Sequence, residues 1–332
     1  GLMGNARGRA LVQSNAAWLW HALVGDEDRA DLLVRSALEV YDKIGDKRGR
    51  AHCVALLGST AGRRGNAADA IRLFEEAIAL TKEVSDAWLL AQALRDYAAF
   101  ELISDRPTDG LYHALEAELV CKEHGMNDLV VGVRALVARL YLRSGHTDRA
   151  LEYATRALRE IRPGIELAHM VPFAMGEVLE AMGKPKESMR YFLDSHNLLM
   201  ATLHGLPPTM LETSLSKVPA HRIVYEKWRS QQPEIREVRL PAAAAPSGRP
   251  LTDDDHVTVK WTVHEPSDND LPDRVSQRQV RVLRLLTEAT AQAALPTVDH
   301  LADALGASSA TVRRDLATLR GAGHPIVTRG TR

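Results

Sequence analysis

Between Asn5 and Leu203 apolar residues recur three and four positions apart, in stretches separated by short polar steps. In 66–84, for example, Ala70, Ile71, Phe74, Ala77, Ile78 and Val84 fall on one side of a helix. Aligning on the residue between stretches places Gly25, Gly65, Asp105, Gly145 and Gly183 at spacings of 40, 40, 40 and 38. Downstream of each, small or apolar residues return at fixed offsets: Ala30, Val34, Ala37; Ala70, Phe74, Ala77; Ala150, Ala154, Ala157; Ser188, Phe192, Ser195. The third unit, with Gly110, Ala114 and Ala117, is weaker. Upstream, Arg7-Gly8-Arg9-Ala10 recurs as Arg48-Gly49-Arg50-Ala51. A fixed period of this length predicts stacked helix pairs, each burying its apolar face against its neighbours. The small residues let the two helices of a pair approach, and Phe74 or Phe192 fills the gap beside them. The Gly-Asn, Gly-His-Thr and Gly-Lys-Pro steps are turn chemistry followed by a cap or a helix-starting proline.

Leu57-Gly58, Gly65, Ala70, Phe74 and Ala77 sit at the spacing of the tetratricopeptide-repeat family, which unit two resembles. The period of 40 exceeds the usual 34 and is similar to the longer-helix variety of bacterial signalling ATPases and regulators. The resemblance covers about Asn5–Leu203 and implies a mainly α chain, with a solenoid of five helix pairs over 1–203. It also implies a concave groove that receives a protein, a peptide or a small effector, unless the array only spaces other domains. Trp18, Trp20, Trp88, Tyr97 and Tyr141 fall in the first helices of the pairs, as core or as a platform for a sugar or peptide. Residues 204–233, with Pro207-Pro208 and an apolar stripe of Ile223, Val224 and Trp228, suit helices that cap the last repeat.

After residue 233 the pattern changes. Ile235, Val238 and Leu240 stand among charges, and Val257, Val259, Trp261 and Val263 alternate strictly. Two strands are predicted, separated by the Pro- and Ala-rich stretch from Pro241 to Pro250. Two strands alone are marginal and should lean on a helical neighbour. Residues 234–270 are therefore assigned as a β-ribbon connector. The run Asp253-Asp254-Asp255 reads as a solvated turn rather than a metal site.

Residues 271–332 predict helices. Asp273–Ala291 is amphipathic, with Val275, Val282, Leu285, Leu286 and Ala289 apolar. Thr297 caps a short helix closed by Gly306, and Ala307-Ser308-Ser309 leads into a second helix through Arg320. That order is the grammar of a helix-turn-helix. On the second helix Val312, Leu316 and Leu319 form the buried stripe. Ala310, Arg314, Ala317 and Thr318 point away from it, and Arg313 and Arg320 flank them. Small residues beside arginine suit close approach to a major groove. Leu301-Ala-Asp-Ala-Leu-Gly and Ser308-Ser-Ala-Thr-Val-Arg-Arg-Asp-Leu resemble the winged helix-turn-helix of DeoR-type bacterial repressors. The resemblance implies that Ser308, Ser309, Thr311, Arg313 and Arg314 face DNA, with Thr318 on the same side and Asp315 structural. That family carries the module at its N-terminus, whereas here it comes last. The wing is short, a single strand over Ile326–Thr328. The tail with Arg329 and Arg332 either enters a minor groove or is a disordered end.

Charge sharpens this division. The whole chain is nearly neutral, with 42 Lys+Arg against 43 Asp+Glu. From 234 to 270 acids outnumber bases eight to four, whereas from 271 to 332 nine Arg face five acids. No run reaches the roughly 18 apolar residues of a membrane span, and the start has no signal-peptide pattern. Two cysteines, Cys53 and Cys121, fit a reducing cytoplasm. Phosphate-loop, nucleophile-elbow and zinc-protease motifs are missing, and Cys121 with His124 lacks two further ligands, so no enzyme activity, cofactor or metal is expected. The reading is a cytoplasmic bacterial transcriptional regulator. Its solenoid would sense an effector or partner, and double-stranded DNA would bind the last module. A change in solenoid curvature or in homodimer assembly would reset the spacing of two recognition helices, about 34–36 Å on a two-fold site. The alternative is a protein-interaction scaffold, the C-terminal sensor part of a larger signalling ATPase, whose last module docks protein. Gly1-Leu2-Met3 begins almost inside a repeat, which fits a chain cut from something longer.

Overall fold

The computed structural model describes residues 2–162 and 164–330, the side chains of 2–5 apart. The chain forms two compact units, Gly1–Trp228 and Arg229–Arg332.

The first unit is a stack of helix hairpins: α1 (Leu2–Leu19) with α2 (Glu27–Ile44), α3 (Lys47–Arg63) with α4 (Ala67–Glu83), and α5 (Ala87–Ile103) with α6 (Pro107–Glu123). Then follow α7 (Leu129–Arg143) with α8 (Thr147–Glu160) and α9 (Met170–Ala181) with α10 (Pro185–Thr202). Each hairpin turns through a residue with positive φ: Gly25, Gly65, Asp105, Gly145 and Gly183. Asp105, at φ 57°, takes the glycine's place in the third pair. A second series, Gly45, Ser85, Gly125 and Gly205, turns between pairs. The chain therefore reverses about every twenty residues. Asp26, Asp46, Asn66 and Asp86 cap the helices that follow four of these turns, each accepting from a backbone N–H three residues on. Pro107 and Pro185 start α6 and α10 instead.

The second helices bury one narrow stripe. It lies five, nine, twelve and sixteen residues after the turn: Ala30, Val34, Ala37 and Tyr41 in α2, and Ala70, Phe74, Ala77 and Thr81 in α4. Large side chains on this stripe demand glycine opposite. A Cβ on Gly176 would lie 2.6 Å from the Phe192 ring, one on Gly58 3.2 Å from Phe74, and one on Gly49 2.4 Å from Tyr41. The repeated arginines tie successive pairs together. Arg7 Nε donates to Asp46 at 2.7 Å and Arg48 to Asp86, so each arginine holds the capping carboxylate of the next pair's first helix. Of the aromatic residues expected in the first helices, Tyr97 is buried, Trp18, Trp20 and Tyr141 are half-buried, and Trp88 is exposed.

The first helices are covered on more sides, and the solenoid returns on itself. Trp18 of α1, His52 of α3 and Gln92 and Asp96 of α5 converge around a hollow of about 20 Å³, room for about one water. Arg95 is buried between Asp96, at 2.9 Å, and Glu166, at 3.2 Å, from the loop between α8 and α9. At the end of α1 the helix widens over Trp20–Val24 into one π turn, where Gly25 N–H reaches the Trp20 carbonyl at 2.8 Å. This turn meets α11 (Pro208–Lys217), since a Cβ on Gly25 would lie 2.8 Å from Lys217. Leu23 joins Phe173, Phe192, Leu199, Leu211 and Val224 in one apolar cluster. The helices α11 and α12 (Pro219–Ser230) therefore cover the last pair and also touch the first. The expected groove is in this way narrowed by the chain's own loop and caps.

The second unit has a single core. β1 (Glu234–Pro241) and β2 (His256–His264) pair antiparallel, Leu240 opposite Val257 and Val238 opposite Val259, with an irregularity at Glu234–Ile235. Val259, Trp261 and Val263 face α13 (Arg274–Ala291), and with Leu285, Leu301 and Leu316 they build that core. The ribbon is thus part of the C-terminal unit and not a connector. The outer edge of β2 is closed by side chains of α13 and the residue after it. Glu288 accepts from Thr262 N–H, and the Gln292 amide exchanges bonds with Lys260 N–H and C=O. Asp268 is buried under Arg281 and Arg284. Burial raises its pKa, but Arg284, the Glu265 N–H and Arg281 together hold it down at about 2. Two sequence expectations fail here. Val275 is exposed, and Ile326–Thr328 forms no strand; the end of β1 instead pairs with the 293–295 segment. Thr331 and Arg332 lie outside the described residues.

Gly176→Ala should lower the solenoid's stability by about 1–3 kcal/mol in urea unfolding. Adding Phe192→Leu should recover part of that loss, and a strictly additive double variant would deny the contact. The seam between caps and repeats should also sense pH. His169 and His221 meet edge to face at 5.3 Å, and burial lowers their pKa to about 4 and about 3. Both folded values lie below the free value of 6.5, so unfolding takes up protons as pH falls below that value. The urea midpoint should decline from pH 7 to pH 5, and less steeply in His221→Gln; an unchanged slope would contradict this.

Candidate functional site

Two surfaces carry side chains in excess of what the fold consumes. The first lies on α15 (Ser309–Gly321), which follows α14 (Val298–Leu305) after a three-residue turn. Gly306 closes α14 at φ 59°, and Ser308 caps α15 by accepting from Thr311 N–H. Val312, Asp315, Leu316 and Leu319 are the buried side of α15. Asp315 is gripped by Arg278 of α13, which fixes the rotation of α15. That rotation leaves Ala310, Arg313, Arg314, Ala317, Thr318 and Arg320 exposed together.

The residues expected to face DNA fall into separate groups. Ser309 donates to Asp299 at 2.6 Å and braces the turn. The hydroxyls of Ser308 and Thr311 bond each other at 2.9 Å, and Thr318 donates to the Arg314 carbonyl at 3.1 Å. Arg314 makes a long contact to Thr311 at 3.5 Å, and Arg313 has no partner among the described residues. Arg329 lies elsewhere. Its guanidinium donates to the carbonyls of Ala245 and Pro246, so it is a brace for the loop between the strands. Across α13–α15, Arg278, Arg281 and Arg284 are neutralised by Asp315 and Asp268. Arg274, Arg313, Arg314 and Arg320 have no acidic partner among the described residues. Arg274 was not anticipated, because no motif or spacing marks it.

The second surface is the outer side of the solenoid. Leu32 of α2, Tyr112 and Leu119 of α6 and Met189 and Leu193 of α10 are exposed there. Between α4, α5 and α6 lies a pocket of about 550 Å³, with Tyr97 and Glu101 on its floor. The two cysteines serve neither surface. Both are buried, and burial pushes the thiols up to about 12 at Cys53 and about 11 at Cys121.

Residues 210–332 match a family model described as a protein of unknown function (DUF1670). Residues 135–166, which span most of α7 and α8, match a tetratricopeptide-repeat model. Among solved structures, PilF of Pseudomonas aeruginosa is 19% identical, with 69% of this chain and 90% of that chain covered at a TM-score of 0.44. BtubC of P. vanneervenii is 16% identical, covering 63% of this chain and 94% of that one at 0.41. A Rap protein complexed with competence and sporulation factor is 13% identical, with coverages of 70% and 67% at 0.46. No curated protein sequence matches the chain. The first unit is a tetratricopeptide-like helical solenoid, and among the described residues no helix is long and apolar enough to cross a membrane.

Proposed function

We propose that the chain is a protein-interaction scaffold whose solenoid docks a protein or peptide. The observation that carries this reading is the tetratricopeptide hairpin array with large apolar side chains left exposed on its second helices, Leu32 at 71% and Tyr112 at 67%. Where α1, α3 and α5 meet, the inner side leaves a hollow the size of one water, which favours the outer face for docking. A partner lying across these helices gains the burial of apolar area without any rearrangement of the stack.

A specific observation also favours a second role for the C-terminal unit. Arg313, Arg314 and Arg320 share an exposed face of α15 with Ala310 and Ala317, and no carboxylate answers them among the described residues. In this reading α14 and α15 are a DeoR-like helix-turn-helix, and α15 enters the major groove of duplex DNA. Thr311 and Thr318 lie on that side, while Ser308 and Ser309 hold the turn. The ribbon precedes the helices in the chain, whereas a wing would follow them. Transcriptional regulation, a homodimer matching two half-sites and residence in the cytoplasm belong to this reading.

The two roles separate in one pair of titrations on the whole chain. Peptides selected by display are titrated against Leu32→Asp, Leu119→Asp and Leu193→Asp. At least one substitution should weaken binding tenfold or more, and a peptide indifferent to all three would contradict outer-face docking. Duplex DNA is titrated by fluorescence anisotropy at two salt concentrations, with Arg313→Ala/Arg314→Ala alongside. A steep salt dependence and a loss of about tenfold or more in the variant are expected. Absence of binding at low salt, with the protein folded, would remove the DNA role and leave the scaffold standing.

A further inference from the structure

The pocket between α4, α5 and α6 has an electrostatic imbalance that the fold does not use. Two of its cations are already committed: Lys82 lies 3.0 Å from Glu116, and Arg106 donates to Asp109 at 2.8 and 3.0 Å. Two further carboxylates line it, and neither is fully answered. Glu75 is exposed on the rim and has no ion pair among the described residues. Glu101 is wholly buried on the floor. Its Oε2 takes a bond from His113 Nδ1 at 2.7 Å, whereas its Oε1 has no hydrogen bond among the described residues and only a long ion pair with Arg106 at 3.6 Å. A buried carboxylate oxygen left without a bond costs the protein stability, and such groups call for an explanation.

The walls explain what the site would hold. Tyr97 stacks on His113 with centroids 4.3 Å apart, and Tyr112 stands edge-on to the same imidazole at 5.2 Å. Phe74 backs Tyr97 at 5.0 Å and keeps its ring fixed. Tyr97 is thus covered on both faces, and the exposed Tyr112 ring beside the unpaired Glu75 and the incompletely bonded Glu101 forms a receptor for an organic cation, which the ring attracts through its quadrupole and the carboxylates through charge. A volume of about 550 Å³ admits a guanidinium or alkylammonium group together with its neighbours. The pocket opens on the surface that carries Tyr112 and Leu119, both exposed on α6.

We propose that this pocket receives the cationic side chain, arginine or lysine, of a partner segment docked across α4 and α6. The inference rests on the outer-face scaffold reading and adds the chemistry of the partner. Glu101 supplies the buried charge, Glu75 the charge at the entrance, and Tyr112 the ring contact, with Tyr97 and His113 as the packed wall behind it.

Amide chemical shifts of the whole 332-residue chain provide the test, with four probes: N-acetyl-arginine methylamide, N-acetyl-lysine methylamide, N-acetyl-glutamate methylamide and free 1,5-diaminopentane. Saturable shifts confined to α4–α6 are expected with the arginine or lysine probe, and none with the glutamate probe. Glu101→Gln should weaken that binding at least tenfold. Because a buried substitution can perturb folding, the exposed Glu75→Gln is run beside it, and it should weaken binding about two- to threefold with an unchanged spectrum. Diaminopentane binding more tightly than either peptide-like probe would overturn the partner segment in favour of a free polyamine. No saturable shift with any cation, or affinity unchanged in both variants, would overturn the proposal outright. If display-selected peptides still depend on Leu32, Leu119 or Leu193 in that case, the scaffold reading survives and only the cation pocket falls.

Discussion

A stacked helical array must reverse its chain at short, regular intervals, and here the reversal depends on one backbone state. Residues with positive φ recur about every twenty positions, from Gly25 through Gly45, Gly65, Ser85, Asp105, Gly125 and Gly145. Each ends one helix and leaves the next residue free to cap the following one, as Asp26, Asp46, Asn66 and Asp86 do. With the reversal points fixed, the phase of every second helix is fixed as well. The buried stripe then falls at the same offsets from the turn in α2, α4, α6 and α10. Everything that is exposed on the outer side, including the pocket over Glu101, follows from that phase.

This regularity explains why the solenoid was legible in the sequence. Turn residues and small stripe residues are local signals, and they survive even where Asp105 replaces glycine. The closure of the array was not legible, because it arises from contacts between distant segments. No spacing reveals that Leu23 reaches the cluster of Phe192 and Val224, or that Glu166 meets Arg95. The period breaks between α8 and α9, where a longer connection stands in place of a tight turn and brings Glu166 onto Arg95 of α5. In the C-terminal unit the helix boundaries were equally readable, since Asp273, Thr297 and Ser308 cap and Gly306 stops. The ribbon's place in the core was not, because Trp261 finds its neighbours on helices that begin many residues later.

Charge placement separates structural from surplus arginines in a way composition cannot. The local excess of arginine in 271–332 would suggest a uniformly basic module. Instead Asp268 and Asp315 consume the arginines of α13 that face the core, and the surplus concentrates on α15 with Arg274. The same accounting in the solenoid leaves an excess of the opposite sign over α4–α6. The two units thus present surface patches of opposite charge.

The inner side of the solenoid is narrowed where α1, α3 and α5 meet, and the outer side is open. Thiol-labelling rates in the folded chain measure this directly, because native Cys53 and Cys121 are buried with raised pKa values and should react slowly. A cysteine at Ala51, which is fully buried beside the inner hollow, is compared with one at Tyr112 on the outer face. The account predicts that Tyr112→Cys labels at the rate of an exposed thiol and Ala51→Cys at least a hundredfold more slowly. Equal, fast labelling at both positions would show an open groove and contradict it.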